Sequence, residues 1–115
     1  MKRILTALTL SAALATPAWS DSFIANKQNW DDLGFAQQVG YAMGAFDQQH
    51  MVYDNDPRRL REMRKARRQC VVNAELNSHD LVELINTSYK NDVSTWKFPP
   101  NVVLLQSVMK MCSSP

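Results

Sequence analysis

The sequence predicts an all-α fold: a small single-domain bundle of about four helices stapled by one disulfide. Three observations predict it. Apolar residues recur in steps of three and four along most of residues 31–112, whereas the alternation expected of a half-buried strand is scarce. Turn clusters and helix starts punctuate the chain at Asp54-Asn55-Asp56-Pro57, at Asn77-Ser78 and at Pro99-Pro100. Two cysteines, Cys70 and Cys112, sit in a chain that carries an export signal.

The export signal comes first in the chain. Lys2 and Arg3 form a positive start, Ile4 to Ala15 is a mostly apolar run, and Pro17 breaks it. Ala18-Trp19-Ser20 then sets small residues at both recognition positions before Asp21, the pattern of a cleaved signal peptide. The run is too short to span a hydrocarbon core of ~30 Å as a permanent helix. Residues 1–20 are therefore expected to be removed, leaving residues 21–115 as one periplasmic domain with no membrane span.

In residues 31–53, Ala36, Val39, Met43, Phe46 and His50 define one helical face, and Asp31 and Asp32 suit the positive first turn. The cluster 54–57 stops this helix. In the next stretch Leu60, Met63, Ala66 or Arg67, and Cys70 share a thin apolar edge, so a second helix with a broad cationic surface follows. Asn77 or Ser78 caps a third helix over 79–90, with Leu81, Leu84, Ile85 and Tyr89 inward. A loop containing Trp96 leads to a fourth helix opened by Pro99-Pro100, where proline costs no hydrogen bond. There Val103, Leu104, Val108, Met111 and Cys112 are expected inside.

About 95 mature residues bury only a modest core, roughly 60–65% of the unfolded chain's surface. A covalent staple would matter at that size. An even cysteine count in an oxidising compartment reads as a disulfide between Cys70 and Cys112. It closes a loop of about 43 residues, worth roughly 4 kcal/mol in the chain-entropy model. The rival, a metal site, is weak: the two histidines, His50 and His79, come with no Cys-x-x-Cys pair. No metal and no cofactor is expected.

Charge is unevenly spread. The chain holds 13 Lys and Arg against 11 Asp and Glu, and Lys2 and Arg3 leave with the signal. Of the 11 mature cations, seven fall within residues 58–68: Arg58, Arg59, Arg61, Arg64, Lys65, Arg67 and Arg68. Outside that stretch four cations face ten anions, so a negative body carries one positive patch. Nucleic acid is a poor partner for an exported protein, and the patch has neither interleaved aromatics nor zinc-finger spacing. Two expectations stay open: a merely solvated face, or a surface for an anionic partner, foremost an acidic protein.

Two further features stand out in the first helix. Gly40 and Gly44 lie four apart, and each costs about 1 kcal/mol relative to alanine in a helix interior. Something is expected to press on that face, either a neighbouring helix of the same domain or a second subunit. Asp47 falls near the middle of the apolar face by helical counting, so it is expected to be a structural buried acid with a partner, an arginine of the basic stretch being the obvious candidate. One Asp-His pair with His50 is too little for catalysis. No nucleophile elbow, phosphate loop or zincin motif is present, and an enzyme is not expected.

The order of elements resembles a known family. Gly40-Tyr41-Ala42-Met43-Gly44-Ala45-Phe46-Asp47, then Cys70, a capped helix from Leu81 to Tyr89, Pro99-Pro100 and a helix ending at Cys112 are similar to the Rap1a/Tai family of small exported immunity proteins. Such proteins protect bacteria from type VI secretion effectors. The resemblance spans most of residues 30–113; the basic stretch before Cys70 lies outside it. It implies an all-α, disulfide-bonded and often dimeric protein that inhibits a cell-wall amidase toxin by occluding its active site. The alternative is a periplasmic chaperone-like or envelope-associated protein that uses residues 58–68 for anionic partners.

Overall fold

The computed structural model describes residues 23–113, and the expected signal peptide, residues 1–20, lies outside them. The regular structure of the described residues is all helical, with no strand among them. Its elements are α1 (Lys27–Asp31), α2 (Phe35–Gln49), α3 (Arg58–Asn73), α4 (Ser78–Asn91), a 3₁₀ turn (Val93–Thr95) and α5 (Pro100–Cys112).

The first expected helix, 31–53, is shortened to Phe35–Gln49 and a separate one-turn helix precedes it, so Asp31 and Asp32 end α1 and do not open α2. Asn26 caps the short α1, its side chain accepting from the Asn29 amide at 2.9 Å. This turn sets Trp30 fully inside, where its indole N–H donates to Asn86 Oδ1 at 2.8 Å. Asp32-Leu33-Gly34 then interrupts the helix. Gln37 reaches back to accept from the Gly34 amide at 2.9 Å, satisfying one of the donors that every helix start leaves free. The α2 helix therefore begins at Phe35 and ends at Gln49, inside the boundaries that periodicity marks.

Three helices make the core. The helices α2, α4 and α5 pack pairwise on one another, burying Ala42, Leu81, Val82, Ile85, Tyr89, Val103, Leu104 and Val108 with Trp30. Small Ala42 at the centre of α2 lets two neighbours approach closely. The rotation of α2 differs from the expected one: Val39 and Phe46 pack on the core, but Ala36 and Met43 are exposed. Having two partner helices moves the buried stripe one residue round, onto Ala42 and Ala45. On α4, Val82 is fully buried and Leu84 half-buried; on α5, Met111 is exposed.

Polar bonds lock this core. The Tyr89 hydroxyl donates to the Phe98 carbonyl and the Trp96 indole to the Tyr89 carbonyl, both at 2.6 Å. The Tyr41 hydroxyl accepts from the Asn101 amide at 3.2 Å, occupying a free donor at the start of α5. Asn77 and Asp80 cap α4 reciprocally, at 3.0 and 2.9 Å. Pro100 takes the first position of α5, as its fixed φ allows.

The remaining helix, α3, is strapped to the outside. Its packing within the bundle is chiefly against α5. Val71 is its one buried residue, and Cys70 is bonded to Cys112, the last residue of α5, with Cα atoms 6.0 Å apart. Beyond it the chain turns through Glu75 at φ 58°, the left-handed region. The Glu75 amide donates to the Val72 carbonyl and the Leu76 amide to the Val71 carbonyl, which satisfies two of the last helical acceptors.

Candidate functional site

The chemistry-bearing surface of this chain is α3. Its N-terminus follows Pro57, which fixes the backbone for a helix start. The disulfide and Val71 set its rotation, because both must face α5. Counting back by turns from there puts Arg67, Arg64 and Leu60 or Arg61 toward the body. Arg61, Arg64 and Arg67 are accordingly half-buried, whereas Arg58, Arg59, Lys65 and Arg68 are exposed. The seven cations are thus divided between two faces. Met63, expected on the inner edge, is exposed.

The inner row does structural work. Arg64 donates from Nη1 to the Met51 carbonyl at 2.9 Å and to Asp56 Oδ2 at 3.0 Å, tying α3 to the loop before it. The stems of Arg61 and Arg67 lie over the body, and their Nε atoms are buried without a hydrogen-bond partner among the described residues. Ion pairs among the described residues are Arg64–Asp56 and Lys27–Asp31. The exposed cations Arg58, Arg59, Lys65 and Arg68 stand in none of them.

His50 ends α2 beside this row. It is fully buried, its ring lies 4.2 Å from that of Phe46, and Nδ1 donates to the Phe46 carbonyl at 2.8 Å. Nε2 is left as an acceptor and has no partner among the described residues. Burial holds the imidazole below its ordinary pKa. The Phe46 carbonyl opposes that shift, and the charges of Arg67, Arg68 and Arg64 add to it. His79 is elsewhere, edge-on to Phe35 at 5.1 Å.

Two expectations for α2 are corrected. Asp47 is exposed and is not a buried acid with an arginine partner. Once Ala42 is the centre of the buried stripe, Asp47 turns to the outer face, where water solvates it. Gly40 and Gly44 also face outward, and a Cβ on either would meet nothing within 4 Å. No helix among the described residues presses on them, so the intramolecular explanation falls.

Among the described residues no group of three or more His, Cys, Asp and Glu side chains could hold a metal, and no helix is long and apolar enough to cross a membrane. A cleft lined by Asn26, Lys27, Gln28, Asp31, Trp96 and Lys97 opens widely to solvent and carries no Ser, Thr, Cys or His. Met51-Val52-Tyr53, expected as the end of the first helix, is instead a loop that Arg64 holds, and its apolar side chains are exposed. Three consecutive apolar residues before a turn cluster were the available signal. Comparison with protein-family models, with curated proteins and with solved structures gives no match for this chain.

Proposed function

We propose that this chain is an exported periplasmic binding protein that neutralises a toxin of the cell-wall amidase kind by covering its active site, as members of the family it resembles do. The observation that carries the binding role is the outer edge of α3. Arg58, Arg59, Lys65 and Arg68 are exposed there without an ion-pair partner among the described residues, on a body that is otherwise anionic. Such a surface recruits an acidic protein by steering, and opposite charge selects the partner. The resemblance supplies the toxin class. The test is affinity capture from envelope extract, with the wild-type protein and an Arg58→Gln/Arg59→Gln/Lys65→Gln/Arg68→Gln variant as baits. One acidic protein held at fixed stoichiometry by the wild type alone, and losing amidase activity on binding, is the expected result. Equal capture by the variant would refute it.

A homodimer belongs to the same proposal. Gly40 and Gly44 leave a flat outer strip on α2, beside exposed Met43. A monomeric mass by light scattering at high concentration removes this part.

One observation favours a second reading, a periplasmic chaperone-like protein. Met43, Met51, Met63, Met109 and Met111 are all exposed, and methionine suits loose, adaptable contacts. A holdase would suppress aggregation of unrelated unfolded chains, and an immunity protein would not.

A further inference from the structure

The loop between α2 and α3 combines a fixed backbone with outward apolar side chains. Met51, Val52 and Tyr53 are 42%, 36% and 50% exposed. Yet the segment is pinned at several points. Arg64 donates to the Met51 carbonyl at 2.9 Å, the Tyr53 amide donates to Asp56 Oδ2 at 2.9 Å, and the Asp56 amide donates to the Tyr53 carbonyl at 3.1 Å. Asp56 Oδ2 also accepts from Arg64. Bonds to charged groups are the stronger kind, so the loop is ordered before any partner arrives. A surface ordered in advance loses less entropy on binding.

The cations lie alongside. Arg58 and Arg59 open α3 directly after this loop, Lys65 adjoins Arg64, and Arg68 is one turn further on. Tyrosine and arginine are among the residue types that dominate protein–protein binding energy, and methionine is enriched at interfaces. We propose that Met51, Val52 and Tyr53 are the apolar centre of the partner-binding surface, that Arg58, Arg59, Lys65 and Arg68 are its charged margin, and that together they take an acidic amphipathic protein segment, with carboxylates beside apolar side chains. This rests on the reading that the outer cations of α3 bind an acidic protein, and it names the second half of that surface. An anionic bilayer is the rival occupant. The fixed loop favours a protein, because bilayer binding draws on a long apolar helix face, and the outer face of α3 is cationic.

The test uses the disulfide-bonded protein purified from the periplasm and three probes at one low salt concentration. They are a labelled peptide of alternating glutamate and leucine, a peptide of equal length alternating glutamate and serine, and phosphatidylglycerol vesicles. The wild type is expected to bind the leucine peptide at least about tenfold more tightly than the serine peptide. A Met51→Ser/Tyr53→Ser variant of unchanged melting temperature is expected to bind the two equally. Equal affinity of the wild type for both peptides would overturn the apolar centre and leave the charge reading standing. No binding of either peptide would overturn both. Tighter binding to the vesicles than to the leucine peptide would overturn the protein occupant. The wild-type comparison decides alone if the variant melts early.

Discussion

Arg64 faces Asp56 at 3.0 Å across the turn that opens α3, and the same guanidinium nitrogen holds the Met51 carbonyl. Both side chains of the pair are largely withdrawn from water. Arg64 is therefore the cation of the basic stretch with a defined structural duty. Replacing it with Gln is expected to cost about 1.5–3 kcal/mol, since hydrogen bonds to charged groups contribute about that much. Arg58→Gln, Arg59→Gln, Lys65→Gln and Arg68→Gln are each expected to stay within about 0.5 kcal/mol. Urea unfolding of the single variants checks the contrast, and a uniform effect across the stretch would contradict it.

The disulfide is expected to matter more than any ion pair. Helix α3 has one buried residue and packs chiefly on α5, so the Cys70–Cys112 bond is its main restraint. Replacing both cysteines with Ser should lower stability by roughly 3–4 kcal/mol. The loss should be local first: amides of residues 58–73 should exchange fast in the variant while those of α4 stay protected. Uniform deprotection would mean that α3 is an integral part of the core.

Stability should fall on mild acidification, through His50. Burial lowers its pKa in the folded state, while the unfolded chain binds the proton at the ordinary value of 6.5. The unfolded state therefore holds more protons between those two values, and stability drops as pH falls through that window. A protonated His50 would also add a charge beside Arg64, Arg67 and Arg68. The melting temperature should decline below about pH 6.5, and His50→Gln should remove the decline. An unchanged pH profile in the variant would assign the effect to another group.

Glu75 holds φ 58°, where a side chain other than glycine is strained. Glu75→Gly should stabilise the protein by about 1 kcal/mol, because glycine adopts that conformation without a Cβ clash. Thermal melting checks this, and a destabilised variant would mean that the Glu75 side chain makes a contact of its own worth more than the strain.

The helical class and the Cys70–Cys112 bond were legible because they follow from composition, spacing and capping residues: Asn77 and Pro100 stand where a helix start needs them. Rotation was less legible. Apolar spacing on α2 allows either Met43 or Ala42 at the centre of the stripe, and only two helices packing at once choose Ala42. That choice turns Asp47, Gly40 and Gly44 outward together. On α3 the pattern of charges hid the division between rows, because arginine stems cover apolar surface as methylene chains do. The bond between Cys70 and Cys112 decides which arginines those are. Trp30 stayed unassigned because a one-turn helix has no periodicity to read.

The most direct measurement is the association rate of the captured acidic partner with the wild-type protein and with the Arg58→Gln/Arg59→Gln/Lys65→Gln/Arg68→Gln variant, each at low and at high salt. All four side chains are exposed, so the variant should melt as the wild type does. If the outer edge of α3 steers the partner, wild-type association should be fast at low salt and slow at high salt. The variant should associate about tenfold more slowly at low salt and be nearly indifferent to salt. An unchanged rate and an unchanged salt dependence in the variant would show that these cations are a solvated face with no part in recognition.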